Sequence, residues 1–199
     1  IEQTVLVMKE SDKFKKCHEI ITSLSLKDKV IVFMSTKRSC DSIANTFWDE
    51  GMQCDSIHGD KNQWQRTSIL NAFKSSQIRI LFATDVAARG LDVVDITHVI
   101  CYDFPKPKGE GGIEDFVHRI GRTARGNRKG KAITFFTKDN SKHANTLIEL
   151  LKRAKQNVPD ELKAMIENRN DARNNSGRRG GRGRRGGRGR GGSRGRGGS

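Results

Sequence analysis

Four short segments bring together residue types that handle phosphates. The densest is HRIGRTAR, His118 to Arg125, in which Arg119, Arg122 and Arg125 recur every third position behind a histidine. On a helix, positions three apart share a face, so the pattern concentrates positive charge at one place. Each guanidinium offers five rigid donors suited to bidentate phosphate contact, and Gly121 permits close backbone approach. Isolated arginines usually end on a solvated helix face. A string of three, following a strand and a loop, reads as an anion site.

ATDVAARGLDV, Ala83 to Val93, follows an apolar run. Thr84 offers a hydroxyl and Arg89 a charge to a phosphate, while Asp85 and Asp92 suit sugar hydroxyls or an arginine partner. Asp85 also reads as a helix cap, and the loop has too few oxygens for a metal. In HGDKNQWQR, His58 to Arg66, Gly59 allows close approach and Gln63 and Arg66 lie one helical turn apart. His58 by itself reads more simply as a core or turn histidine. In VFMSTKR, Val32 to Arg38, Ser35 and Thr36 end a strand and can meet phosphate directly or through a helix N-terminus.

The elements that must position these groups alternate along the chain. Apolar, β-branched runs at 4–8, 30–35, 54–58, 78–84, 98–103 and 131–137 predict strands covered on both faces. Between them lie helical patterns: one carrying Phe14, Cys17, Ile20, Ile21 and Leu24 after a cap at Ser11, then spans near 37–50, 63–74, 113–123 and 140–154. A last short helix is expected over 159–167. The alternation predicts an α/β fold, a parallel sheet flanked by helices on both faces. In such sheets ligands sit outside the carboxyl ends of the strands, and the informative residues of these segments fall after strands.

The chain has 199 residues and a net charge of +15. From Ser176 to Ser199 it holds 12 Gly, 9 Arg and 3 Ser with no apolar side chain. Without that tail the balance is 29 basic to 23 acidic groups. Hydrophobic content in the remaining body rises to about 39%, near a globular norm. Composition from about Asn168 onward cannot offset the entropy of ordering a backbone, so disorder is expected there. No apolar run approaches the roughly 18 residues of a membrane span, and Ile1 opens no signal-like segment. The four cysteines, Cys17, Cys40, Cys54 and Cys101, form no C-x-x-C pair and read as small buried hydrophobes in a reducing, intracellular setting.

In order and spacing, the four segments resemble the second RecA-like domain of DEAD-box RNA helicases. VFMSTKR resembles motif IV, Gln63 to Arg66 the Q-x-x-R motif, ATDVAARGLDV motif V and HRIGRTAR motif VI. The TAR ending and the arginine–glycine tail are most like the p68-type (Dbp2-like) branch. The resemblance covers residues 1–155. It is followed by a short helix and linker at 156–175 and the tail at 176–199.

The resemblance implies roles residue by residue. Arg122 and Arg125 are expected to act as arginine fingers on the γ-phosphate of ATP, with Gly90 and Asp92 at the nucleotide and its ribose. His118 and Arg119 are expected to couple to a partner domain across the cleft. Ser35, Thr36, Gly59, Gln63, Arg66, Thr84 and Arg89 are expected along the RNA sugar–phosphate backbone. The chain contains no G-x-x-x-x-G-K-[ST] and no D-E-A-D string. The ligands for Mg²⁺ are therefore expected in an N-terminal RecA-like domain, the implied partner besides RNA. The tail implies RNP proteins as further partners, and the family an address in the nucleus or cytoplasm. Two departures stand out: Ala124, where many members have Gly, and PKPKGEGG at 105–112, read as a loop insertion. A catalytically silent binding module and a DNA-directed translocase are the competing readings.

Overall fold

The computed structural model describes residues 1–88, 92–105, 112–124 and 128–168. Six strands form one parallel sheet: β1 (Glu2–Val7), β2 (Val30–Phe33), β3 (Cys54–Ile57), β4 (Ile80–Ala83), β5 (His98–Cys101) and β6 (Lys131–Phe136). Their spatial order is β1-β6-β5-β2-β4-β3, with β2 held between β5 and β4. Every expected strand forms, each within a few residues of its expected span.

The helices are α1 (Lys13–Ser23), α2 (Lys37–Asp49), α3 (Gln63–Lys74), the single turn α4 (Asp85–Ala88), α5 (Gly112–Ile120), α6 (Ala144–Arg153) and α7 (160–168). Alternate residues of each strand feed opposite layers, which is why the strands read as continuous apolar runs. Val30 and Val32 join Cys17, Ile21, Cys40 and Phe47 under α1 and α2. Ile31 and Phe33 join Ile69, Phe73, Phe116 and Leu151 under α3, α5 and α6. Aromatic pairs pin both layers, Phe47 against Phe82 at 5.4 Å and Phe104 against Phe116 at 5.5 Å between ring centres. The helix at 160–168 seats Leu162 in that second layer.

The structure departs from the sequence reading at element ends. Ser11 does not cap α1. Residues Glu10–Asp12 form a 3₁₀ turn, the Ser11 hydroxyl bonds to Asp12 at 3.1 Å, and α1 starts at Lys13 without a side-chain cap. The helix expected from 140 starts as a 3₁₀ turn over Lys138–His143. α5 stops at Ile120, not 123. The expected disorder beyond Asn168 and most of the 105–112 insertion lie outside the described residues.

All four cysteines are buried. Burial pushes the thiols of Cys17, Cys40 and Cys54 up to about 12 and raises that of Cys101 as well. Since the thiolate is the reactive form, a thiol-directed dye should modify none of the four in the native chain and all four after denaturation. Rapid native labelling at any of them would contradict this packing.

Candidate functional site

The carboxyl ends of β2, β4 and β5 meet at one ion pair, in which the arginine is buried and the aspartate side chain is 34% exposed. Arg119, near the end of α5, is 2% exposed. Its Nε and Nη2 donate to the two carboxylate oxygens of Asp85, each at 2.6 Å, and its Nη1 donates to the backbone oxygen of Asp103 at 2.5 Å. The guanidinium also lies over the Phe33 ring at 5.2 Å. Burial alone would lower its pKa, but the bonds it donates to Asp85 help outweigh that and hold it above the ordinary arginine value. One side chain thus ties α5, α4, the end of β2 and the exit of β5 together. Asp85, for which a sugar hydroxyl, a helix cap and an arginine partner were all open, pairs with the arginine.

Asp103 extends the tie. Its Oδ2 accepts from the Ser35 N–H at 2.8 Å and its Oδ1 from Lys13 Nζ at 2.9 Å. Lys13 is 3% exposed, lies 5.4 Å from the Tyr102 ring centre and also pairs with Glu10 at 2.8 Å. Neither Lys13 nor Asp103 stands out in the sequence. The available signal for Asp103 is its place just past a strand, where α/β sheets put their chemistry.

Above this tie lies a small recess lined by Phe33, Asp85, Ala88, Asp115, His118, Arg119 and Arg122. His118 is exposed at its rim and Arg122 is half-buried. Arg122 does not continue the helical face. It lies in the turn after α5, where the Arg122 N–H donates to Arg119 O at 3.1 Å and the Thr123 N–H to Ile120 O at 3.3 Å. The Thr123 hydroxyl bonds to Ile96 O at 2.6 Å, and Ala124 follows in the left-handed region at φ 57°. A side chain there costs roughly 1–2 kcal/mol relative to glycine, which is the physical content of the Gly preference noted at this position. Gly130 packs against the same turn; a Cβ on it would collide with Thr123.

Arg119 is buried, and three of its five N–H donors bond inside the domain, to Asp85 and to the Asp103 carbonyl, while the residue also lines the recess. Arg122 and His118 reach the recess. Arg125, Arg89 and Gly90 lie outside the described residues, and Asp92 is exposed in the loop before β5.

The other expected residues sit at the same end of the sheet. Thr36 accepts from the Ser39 N–H at 3.1 Å and caps α2. Thr84 is half-buried where β4 gives way to α4. After β3, Gly59 is exposed, and a Cβ on it would meet nothing within 4 Å. His58 is a structural histidine, as its ordinary reading has it: its Nε2 lies 2.9 Å from both Asp41 oxygens. Partial burial would raise the Asp41 pKa, but the bonds from Ser56 and His58 hold it below the usual carboxylate range. Lys37 pairs with Asp60, joining the start of α2 to the loop before α3. Gln63 is exposed at the first turn of α3. Arg66 is half-buried, and its Nε is shielded from solvent without a hydrogen-bond partner.

Among the described residues no group of three or more His, Cys, Asp or Glu is placed to hold a metal ion, and no helix is long and apolar enough to cross a membrane. The six-stranded parallel sheet flanked by helices is the RecA-like fold of the DEAD-box structures on which it superposes. Residues 12–127 match the family described as Helicase conserved C-terminal domain, and the chain belongs to this family; its relatives include DEAD-box RNA helicases, among them proteins named DBP2. It is 47% identical over 156 residues to the ATP-dependent RNA helicase DBP2 of Candida albicans, covering 76% of this chain and 27% of the relative. It is 45% identical over 165 residues to DEAD-box ATP-dependent RNA helicase 20 of Arabidopsis thaliana, covering 83% of this chain and 32% of the relative. Among solved structures it superposes on the RNA helicase Prp28 of Chaetomium thermophilum bound to ADP, with a TM-score of 0.71 and 33% identity over 81% of this chain and 39% of that one. The chain spans roughly a quarter to a third of the length of these curated relatives.

Removing the Arg119 side chain would strand the Asp85 carboxylate and empty a buried site. Breaking a buried pair from one side costs about 3–5 kcal/mol. Arg119→Ala should therefore lower unfolding free energy by several kcal/mol in a denaturant titration, whereas Gln63→Ala, on the exposed rim, should change it by less than about 0.5 kcal/mol. Equal stabilities would show that the tie does not hold the site.

Proposed function

We propose that this chain is the C-terminal half of an ATP-dependent RNA helicase. It presents Arg122 and Arg125 to the γ-phosphate of ATP and half of an RNA-binding surface to one strand. ATP and Mg²⁺ are bound chiefly by an N-terminal RecA-like domain, and Gly90 and Asp92 complete the nucleotide site from this side. The observation that carries the reading is the placement of Arg122 and His118 on the recess above the Arg119–Asp85 tie. The tie fixes where these donors stand before any ligand arrives. Preorganised donors aimed at developing charge need no reorganisation during reaction. Closure of the two domains would complete the site, the usual logic of gated catalysis.

The RNA surface follows the same end of the sheet through Ser35, Thr36, Gly59, Gln63, Arg66, Thr84 and Arg89. Contacts to the sugar–phosphate backbone hold a strand without reading its sequence. Gly59 supports this reading. Its backbone is not left-handed and a Cβ would fit, so the fold makes no demand for glycine there; a closely approaching strand would. Bending the held strand would expel its complement. The Arg/Gly-rich tail adds electrostatic attraction for RNA or RNP proteins, in the nucleus or the cytoplasm.

The test is ATP turnover by the full-length protein with no nucleic acid, with single-stranded RNA and with single-stranded DNA. RNA-selective stimulation is expected, with turnover reduced about 10³-fold or more in Arg122→Ala. This chain alone should show none. Equal stimulation by DNA would replace the reading with a DNA translocase, and no turnover in any condition would leave a binding module.

Deleting 176–199 should weaken RNA affinity and flatten its salt dependence. If all nine arginines met phosphates, the loss in slope would be at most about six. Turnover at saturating RNA should be unchanged, and its collapse would show that the tail is more than a tether.

A further inference from the structure

The chain has two tryptophans, and Trp64 is 77% exposed on the first turn of α3. An indole is among the largest apolar surfaces a side chain can withhold from water. Among the described residues this one makes no ring, cation or hydrogen-bond contact. Its mounting is nevertheless rigid. Asn62 Oδ1 accepts from the Gln65 N–H and Gln65 Oε1 from the Asn62 N–H, each at 2.9 Å, a reciprocal capping box that fixes the start of the helix. Ile69 and Phe73 anchor the inner face of α3 in the core. Trp64 falls on the outer face.

Two features connect this side chain to a nucleic-acid strand. Bonds from Cα to Cβ tilt toward a helix's N-terminus. The indole therefore leans toward the end of α3 at which Gly59 and Gln63 lie, beyond the carboxyl end of β3. On the same first turns, Arg66 carries an Nε shielded from solvent and without a hydrogen-bond partner among the described residues. The surroundings also discriminate between occupants. The surface positions three and four residues away along the chain, Lys61, Thr67 and Ser68, are polar or charged. A protein interface builds its anchors into a desolvated cluster. A solitary exposed ring in polar surroundings suits a planar group with a polar edge.

We infer that Trp64 is a stacking platform for a base of the bound single strand, adding a base-dependent hold to the backbone contacts of Gln63 and Arg66. This rests on the RNA-binding reading above. Every base has a π-face, so stacking is tolerant of sequence. The platform would raise affinity for unpaired strands without selecting a sequence, and its contribution would be insensitive to salt, unlike that of the tail.

The test uses the full-length protein with a non-hydrolysable ATP analogue, binding a short oligouridine strand and an abasic strand of the same length. Trp64→Ala should weaken oligouridine binding roughly 5- to 100-fold. Trp64→Phe should retain most of it, and the abasic strand should bind wild type and Trp64→Ala alike. Unchanged oligouridine binding by Trp64→Ala would overturn the proposal, as would an equal loss on the abasic strand, which would mean that the residue shapes α3. Wild type failing to bind either strand would overturn the RNA reading itself, and the proposal with it.

Discussion

The functional end of this domain depends on one buried cation. Parallel strands supply a ledge at their carboxyl ends, but a ledge made of separate loops has no intrinsic geometry. Arg119 provides it by holding Asp85 through two bonds and the Asp103 carbonyl through a third. Asp103 then fixes the Ser35 amide and Lys13. Five chain segments distant in sequence converge on this network. A buried charge is tolerable only when its donors are satisfied and its countercharge is adjacent, so the network resists partial adjustment. Shifting α5 by an ångström would strand charge on both sides.

This rigidity explains why chemically equal arginines in one motif behave differently. Arg119 is spent on the architecture, whereas Arg122, three residues later, leaves the helix and reaches the recess. The break between them comes from the turn after Ile120. Thr123 is anchored to the entrance of β5, and Gly130 leaves no room for the turn to shift. The turn closes with Ala124 at positive φ, a modest cost in stability that keeps the chain from continuing as helix.

Much of this was legible in the sequence, for physical reasons that also mark its limits. Strands covered on both faces are apolar throughout, so Val30–Phe33 and Ile80–Ala83 announced themselves, and so did the ledge after them. Helix ends were less legible, because they are settled by tertiary contacts: Ser11 has a capping residue's chemistry but sits in a 3₁₀ turn, and α5 ends where Thr123 is captured by β5. The arginines of HRIGRTAR were legible as a group, but their division of labour was not, since a local pattern cannot reveal which guanidinium will be buried. Lys13 and Asp103 were invisible for the same reason. They lie 90 positions apart, and each alone resembles any surface charge.

The surface also carries information that the core does not. Some positions are engaged within the fold, such as Thr36, which caps α2 through the Ser39 N–H. Positions the fold leaves unexplained are the ones that point outward: a glycine with room for a side chain at Gly59, a shielded Arg66 nitrogen without an acceptor, and an uncovered indole at Trp64. All three belong to the stretch between β3 and the second turn of α3. A fold optimised only for its own stability would fill the first, pair the second and bury the third. They lie within eight residues just past the carboxyl end of β3, along the path proposed for the strand.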